Sequence, residues 1–427
     1  MTRRQLLAAG VAWCARAQDT PADIQIQIGP VSLDVGPKKV IRTIGYNSQV
    51  PGPLLRFREG KQVTVEVTNQ TAEPELLHWH GFHITPETDG AMEEGTPMIP
   101  ARGKQRYTFT PAPFGTRWYH SHIVGGRNFQ KSTFTGQFGV AIIERAEEPV
   151  GWDQDIPIVL HEWEPRMVEE DVEYKVQSIN GRMLGFGEPV RIKEGQRILF
   201  RLVNASATMV HRLSLAGHRF LVVALDGNPV ATPREVAMVE LGPGERADCI
   251  VEMKNPGVWV LGETRDPQRV AGMGIVVEYA NASGPPRWLP PGNKEWDYTE
   301  FGGGAVTVQA QSVPLQFKPR GQHGWTINGK AWPKTDPIRV RANQRYRLIL
   351  DNQSSLAHPI HLHRHTFEIT RFAGKPTSGV HKDVVMVPAW KEVEVDLVAS
   401  NPGPALFHCH NQFHMDQGFM TLLGYSE

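Results

Sequence analysis

A unit that occurs three times constrains this chain more than any other feature. Its first copy is GPLLRFREGKQVTVEVTNQT, starting at Gly52. The second, INGRMLGFGEPVRIKEGQRILFRLVNAS, starts at Ile179, and the third, INGKAWPKTDPIRVRANQRYRLILDNQS, at Ile327. Each reads as a small-residue turn, a strand, a polar turn and an alternating strand ending in asparagine (Asn69, Asn204, Asn352). A histidine-bearing segment follows each copy: LLHWHGFH, MVHRLSLAGH and LAHPIHLHRH. The back half of the unit repeats as FGTRWYHSH, PGVWVLGET and PGPALFHCH. Aligned on Gly115, Gly257 and Gly403, His120 and His408 fall at the position of Gly262, and His122 and His410 at that of Thr264. Period-two runs such as VTVEVTN and EVEVDLV, with 41 Gly and 33 Pro to make turns, predict an all-β chain of three consecutive domains of one design.

The 427 residues suit about three domains of ~100–200 each. The repeats place domain 1 at Asp23–Ala146 and domain 2 at Glu147–Ala280. A Pro/Gly-rich linker, Asn281–Gly304, leads into domain 3, residues 305–427. Lys+Arg and Asp+Glu both total 45, so there is no basic excess on which nucleic-acid or membrane-surface binding would rest. Beyond the N-terminus no stretch is long and apolar enough to span a bilayer. Residues 1–22 resemble a twin-arginine export signal and tail: Arg3-Arg4, a short apolar run, and Ala15-Arg16-Ala17 for cleavage after Ala17. That predicts a periplasmic or secreted protein. Of the three cysteines, Cys14 lies in the signal and Cys249 reads as a buried strand residue, so no disulfide framework is expected.

Ten of the 17 histidines fall in four short clusters. These are His78 and His80; His120 and His122; His358, His361 and His363; and His408 and His410 around Cys409, with His414 close behind. Side chains two apart on a strand share a face. The four HxH pairs therefore present eight imidazoles, two pairs from domain 1 and two from domain 3. Facing one another without a metal, these rings would carry a large desolvation cost. Cys409 points opposite to His408 and His410, so one strand can hold metal on both faces. One thiolate with two imidazoles is the blue-copper arrangement, and His358, Cys409 and His414 can supply it. His211 and His218 echo His358 and His365 in spacing, but Ser214 and Ala216 stand where His361 and His363 stand. They read as structural.

Through HWHG, WYHSH, HPIHLH and HCHNQFH the chain resembles the three-domain multicopper oxidases of the laccase kind, over nearly its whole mature length. The resemblance implies three cupredoxin-like Greek-key domains and four coppers. By position, type 1 copper would take His358, Cys409 and His414, and type 2 copper His78 and His361. One type 3 copper would take His80, His120 and His410, the other His122, His363 and His408. Domain 2 would be a spacer and part of the substrate wall. The implied reaction is one-electron oxidation of a reductant at type 1 copper. Electrons then pass through Cys409 to His408 and His410, and O2 is reduced to water.

O2 reduction consumes protons, and Asp89 matches the family's acid downstream of HWHG. A second acid often follows the last type 1 histidine. Here Met415 stands there, with Asp416 next and its role open. The axial position falls on Phe419, which cannot coordinate, with Met420 one residue away. Trp79 and Trp118 are expected to pack around the cluster. His83 and His365, beside ligands, read as groups that support those ligands or pack against them. His161, His323 and His381 read as lone surface or hydrogen-bonded residues, and Asp383 as no part of the substrate mouth. Three functions fit. The first is oxidation of phenols and aromatic amines with O2 as acceptor. The second is oxidation of Cu(I) or Fe(II) in copper tolerance, which the scattered methionines weaken. The third is a copper-free scaffold, which the full ligand set argues against. Nothing in the chain requires more than a monomer.

Overall fold

The alternating runs form strands, and their alternation decides what they bury. In the strand Arg345–Asn352, Tyr346, Leu348, Leu350 and Asn352 are buried while Arg345, Arg347, Ile349 and Asp351 are half-buried. The computed structural model describes residues 21–145, 151–169, 171–292, 295–305, 308–321 and 324–426. The expected export signal, Cys14 and His323 lie outside the described residues.

Domain 1 pairs two four-stranded sheets; domains 2 and 3 each pair a six-stranded with a five-stranded sheet. In all three, an entry strand lies parallel to the strand that ends in the repeated asparagine: Ile24–Gly36 beside Val63–Asn69, Gln154–Val168 beside Arg197–Asn204, and Gln311–Pro319 beside Arg345–Asn352. In the opposite sheet the first short strand lies parallel to the last: Leu55–Arg58 with Phe138–Glu144, Val190–Ile192 with Gly274–Tyr279, and Ile338–Val340 with Met420–Tyr425. The chain therefore crosses between sheets in the same order three times, giving three cupredoxin-fold sandwiches. Among the described residues no helix is long and apolar enough to cross a membrane.

The repeated asparagine has one job in every copy. Its amide donates to carbonyls of two separate segments: Glu73, Ile99 and Pro100 for Asn69, Met209 and Leu241 for Asn204, and Leu356, Val387 and Pro388 for Asn352. Its carbonyl oxygen accepts the N–H two residues on, from Thr71, Ser206 or Ser354. The side chain thus fixes the turn that leads into the histidine segment.

The linker is more than a tether. Its 3-10 turn Tyr298–Phe301 buries Tyr298 and Phe301 in an apolar core continuous through domains 2 and 3, and Tyr298 donates to Glu245 at 2.5 Å. Between domains 1 and 2, Trp118 and Phe138 pack with Val159, Trp163 and Val203. Against these supports, the strands Leu77–His80 and Gly115–Ser121 of domain 1 face His358–Leu362 and Ala405–Cys409 of domain 3.

Candidate metal centre

In the paired strands, His78 lies opposite His120 and His361 opposite His408. Each pairing aligns two HxH faces, and the two domains then oppose them. His78 stacks on His363, and His80 on His361, each with ring centroids 3.9 Å apart. Potential ligand atoms lie within 4.8 Å of one another in the sets His122–His363–His408, His78–His361–His363 and His78–His80–His120. His80 Nδ1 is 3.4 Å from His120 Nε2, and the His410 ring centroid is 5.0 Å from that of His80 and 5.3 Å from that of His120. All eight rings are buried. Trp118 stacks on His120 at 4.2 Å, as expected. Trp79 does not pack there. Alternation turns it into the domain 1 core, against Phe57, Phe82 and Phe109.

Hydrogen bonds on the outer ring nitrogens choose which nitrogen faces inward. The Nδ1–H groups of His78 and His361 donate to the carbonyls of Asp89 and Asp383, at 2.9 and 2.7 Å. Those of His120 and His408 donate to the carbonyls of Ser121 and Cys409, at 2.8 and 2.9 Å. His363 donates to Asp89 Oδ2 at 2.8 Å, while the Nε2–H of His80 donates to Asp383 Oδ1 at 3.0 Å. What remains inward is a set of unpartnered ring nitrogens, each neutral ring offering one lone pair. The Nε2 atoms of His78, His122 and His361 and both ring nitrogens of His410 are buried with no protein partner. Burial, reinforced in most cases by neighbouring rings, lowers the pKa of His80, His120, His122, His361, His363 and His410, and brings His408 to about 3. Neutral imidazoles with unpartnered, converging nitrogens fit metal ions.

Behind the same strand, Cys409 Sγ lies 3.8 Å from His358 Nδ1 and 3.7 Å from His414 Nδ1. His414 rides on the short helix Gln412–Asp416, capped by the Asn411 side chain, which accepts from the His414 N–H at 3.2 Å. Ser354 Oγ is 2.9 Å from His358 Nε2, which leaves Nδ1 to face the thiol. Burial raises the Cys409 pKa and brings His414 to about 3. A bound cation would deprotonate the thiol. The Phe419 ring is 5.0 Å from that of His358, whereas Met420 packs in another cluster with Ala91, Leu406 and Met415. Trp325 covers both imidazoles, at 4.4 and 4.7 Å.

Two carboxylates meet at His363. Asp89 ends the short helix Pro86–Asp89, and its Oδ1 is buried and unpartnered. Glu94, which the motifs did not flag, places Oε1 3.0 Å from His363 Nδ1 and accepts the Leu406 N–H at 2.6 Å. Burial first, then Asp89, raises its pKa. Its only trace in sequence is the acidic pair Glu93-Glu94, five residues beyond Asp89. Asp416 accepts the N–H groups of Gly125 and Gly126, at 3.0 and 2.6 Å, and so pins a domain 1 loop to domain 3. Burial brings it to about 7. Asp383 lies beneath the cluster, away from any mouth, and His381 is exposed.

The registers identify equivalent pockets in the other domains. Cys409 pairs with Ile360, Glu263 with Leu213 and Ser121 with Leu77, so His211 and Glu75 stand where His358 stands. In domain 2, His211 lies between Glu162 and Glu263 (3.1 Å to the latter); burial would lower its pKa, but the carboxylates hold it at about 9. In domain 1, Glu75 accepts from Gln137 and Ser121, at 3.1 and 3.4 Å, and burial brings it to about 7. His218 is bonded to Tyr279, His365 to Tyr425 and His83 to Thr366, as packing groups would be.

Three multicopper oxidase family models match residues 27–148, 174–279 and 308–426. The chain is 30% identical to the multicopper oxidase MmcO of Mycobacterium tuberculosis, over 93% of this chain and 85% of that protein. It is 23% identical to a laccase of Cryphonectria parasitica, over 90% of this chain and 78% of that one. The crystal structure of a multi-copper oxidase from Pseudomonas thermotolerans superposes with a TM-score of 0.76 at 25% identity, covering 95% of this chain and all of that one. With a buried donor set that fits copper and a fold shared end to end, the chain belongs to the multicopper oxidases, copper-dependent enzymes that oxidise reducing substrates with O2.

Proposed function

We propose that the protein is a laccase-like oxidase of phenols and aromatic amines, exported by its twin-arginine segment to the periplasm or beyond. The single observation that carries the reading is a thiolate–imidazole trio and an eight-imidazole cluster on opposite faces of one strand, Ala405–Cys409 and the His410 after it. His358, Cys409 and His414 would hold type 1 copper, and His78 and His361 type 2. His80, His120 and His410, and His122, His363 and His408, would hold the two type 3 ions. When bound, copper supplies the one-electron chemistry that links four oxidations of substrate to reduction of O2 to two waters. The chain supplies the connection and the protons. Cys409 is the covalent neighbour of His408 and His410, so the two sites are joined by a few bonds. Asp89, with one carboxylate oxygen accepting from His363 and the other unpartnered, is placed to pass protons to the cluster.

Substrate class is supported by a cleft of about 580 Å³ beside Ala357, the residue before His358, walled by Trp296, Tyr298 and Phe372. The same cleft carries Glu240, Glu295, Asp297 and Glu300 with Met386, which favours a second reading, oxidation of Cu(I) or Fe(II). Comparing kcat/KM for a phenol, an aromatic amine, Cu(I) and Fe(II) under one set of conditions separates the two. An aromatic substrate is expected to lead by at least about tenfold, ~1.4 kcal/mol of transition-state binding. A lead for either metal ion would reverse the order of the two readings.

Phe419 presents a ring where a thioether could coordinate weakly. Phe419→Met is expected to lower the type 1 potential by about 60 mV or more, a tenfold change in a one-electron equilibrium. Redox titration of the blue band measures it. An unchanged potential would mean that residue 419 does not occupy the axial position.

A further inference from the structure

Domain 2 gives no ligand to the cluster, yet one of its side chains reaches beneath it. Arg246 is fully buried and places all five N–H donors. Nε donates to the Thr116 carbonyl of domain 1 at 3.3 Å. Nη1 donates to the Gly244 carbonyl and Nη2 to the Asp226 carbonyl of domain 2, at 3.1 and 3.0 Å. The remaining two donors grip both carboxylate oxygens of Asp383 in domain 3, at 2.5 and 2.6 Å. Asp383 in turn touches two putting-in-place contacts of the cluster. Its Oδ1 accepts from His80 of domain 1, and its backbone carbonyl accepts from His361 of domain 3. Asp226 completes the frame by accepting the backbone N–H groups of Asp383 and Val384, at 3.2 and 3.0 Å, and pairing with Lys382 at 3.0 Å.

Gly81, the last residue of HWHG, lies against this frame. With φ at +84°, a Cβ there would stand 2.7 Å from Asp383 Oδ2 and 2.8 Å from Arg246 Nη2. The backbone at Gly81 thus runs close over the Arg246–Asp383 pair, and glycine is required on two counts.

We propose that Arg246 is a positioning residue for the copper cluster: by locking Asp383 it sets which ring nitrogens His80 and His361 present, so that domain 2 governs cluster geometry without contributing a ligand. Only arginine can do this. The planar fork meets both carboxylate oxygens while three further donors hold two other domains, and a lysine ammonium has three donors and no fork. The inference rests on the reading that His80 and His361 hold copper.

The test uses the full-length, copper-loaded protein. Arg246→Lys keeps the charge, Asp383→Asn keeps the shape, and His361→Ala serves as a control for the reading beneath. Copper retained per chain is followed against a chelator, with the type 1 and type 2 signals read separately by electron paramagnetic resonance. In Arg246→Lys and Asp383→Asn, cluster copper should be held about 10- to 100-fold less tightly and the type 2 signal should change, as for other partners of metal-bound histidines. The type 1 signal, whose ligands all lie in domain 3 behind the strand, should stay within about twofold of the parent. Cluster copper that is retained with an unchanged type 2 signal overturns the inference. So does parallel loss of the type 1 signal in both variants, which would make the clamp a general folding element. If His361→Ala itself keeps its cluster copper, the ligand reading fails instead.

Discussion

Cys409→Ser is expected to give a colourless protein whose turnover falls by at least about a thousandfold, ~4 kcal/mol on the barrier. The thiolate is the only soft donor in the trio, and a serine hydroxyl at the same point binds copper poorly. The loss should be confined to one face of the strand. His408 and His410 point the other way, into the eight-imidazole cluster, so copper content should drop by one ion per chain while the cluster is kept. Folding should survive, at a cost of about 1 kcal/mol, because the hydroxyl faces the His358 and His414 Nδ1 atoms. Domain 1 carries a serine at this place: Ser121, the equivalent of Cys409, donates to Glu75 at 3.4 Å, whereas in domain 3 the neighbours of residue 409 are His358 Nδ1 and His414 Nδ1. Absorption, copper analysis and steady-state rate decide the matter together. A serine variant that stays blue would sink the type 1 assignment.

Asp89→Asn separates the two half-reactions. With type 1 copper held by His358, Cys409 and His414 as proposed, its reduction by substrate would take place on the far side of the strand and should stay within about twofold of the parent. Reoxidation by O2 should slow about a hundredfold, the lower end of what a positioned proton donor contributes. The amide keeps the shape of the carboxylate, and its oxygen can still accept from His363, so cluster copper should be retained. Glu94→Gln should slow the same half-reaction as well, because Glu94 also touches His363 and has its Oε2 buried with no hydrogen-bond partner. Stopped-flow reduction and reoxidation give the two rates independently. Equal rates in parent and Asp89→Asn would remove Asp89 from proton delivery.

Much of this site could be read in the chain because its parts are periodic. HxH on a strand fixes a shared face, and three copies of one unit put those faces in equivalent places. The short i to i+5 span from Cys409 to His414 keeps two members of the sulfur site local, and the repeat supplies His358 from the neighbouring strand. What escaped has no period. Arg246 sits in GERADC and Asp383 in HKDVV, segments that look like ordinary strand ends with a solvated charge. They meet only because three sandwiches close on one point, and the partners are 137 residues apart. Ser354 was inside the repeated unit but looked like a turn residue, and its second role at His358 depends on the asparagine clasp beside it. Trp79 lies between two cluster histidines in sequence, but strand alternation sends its side chain to the opposite face, into the domain 1 core.

The three equivalent pockets bear on how such a chain can change over generations. In domain 2 the pocket holds an imidazolium between two carboxylates, and Glu263 is further paired with Arg265 at 2.9 Å. A single substitution toward a metal site, such as Glu263→Cys, would leave His211 with one counter-charge where it now has two. His211 would keep Glu162, and Arg265, 37% exposed, would keep the Val210 carbonyl, so the loss falls on the paired charge at His211. A metal site in this domain would therefore have to replace the ion pairs around His211 as well as supply new ligands.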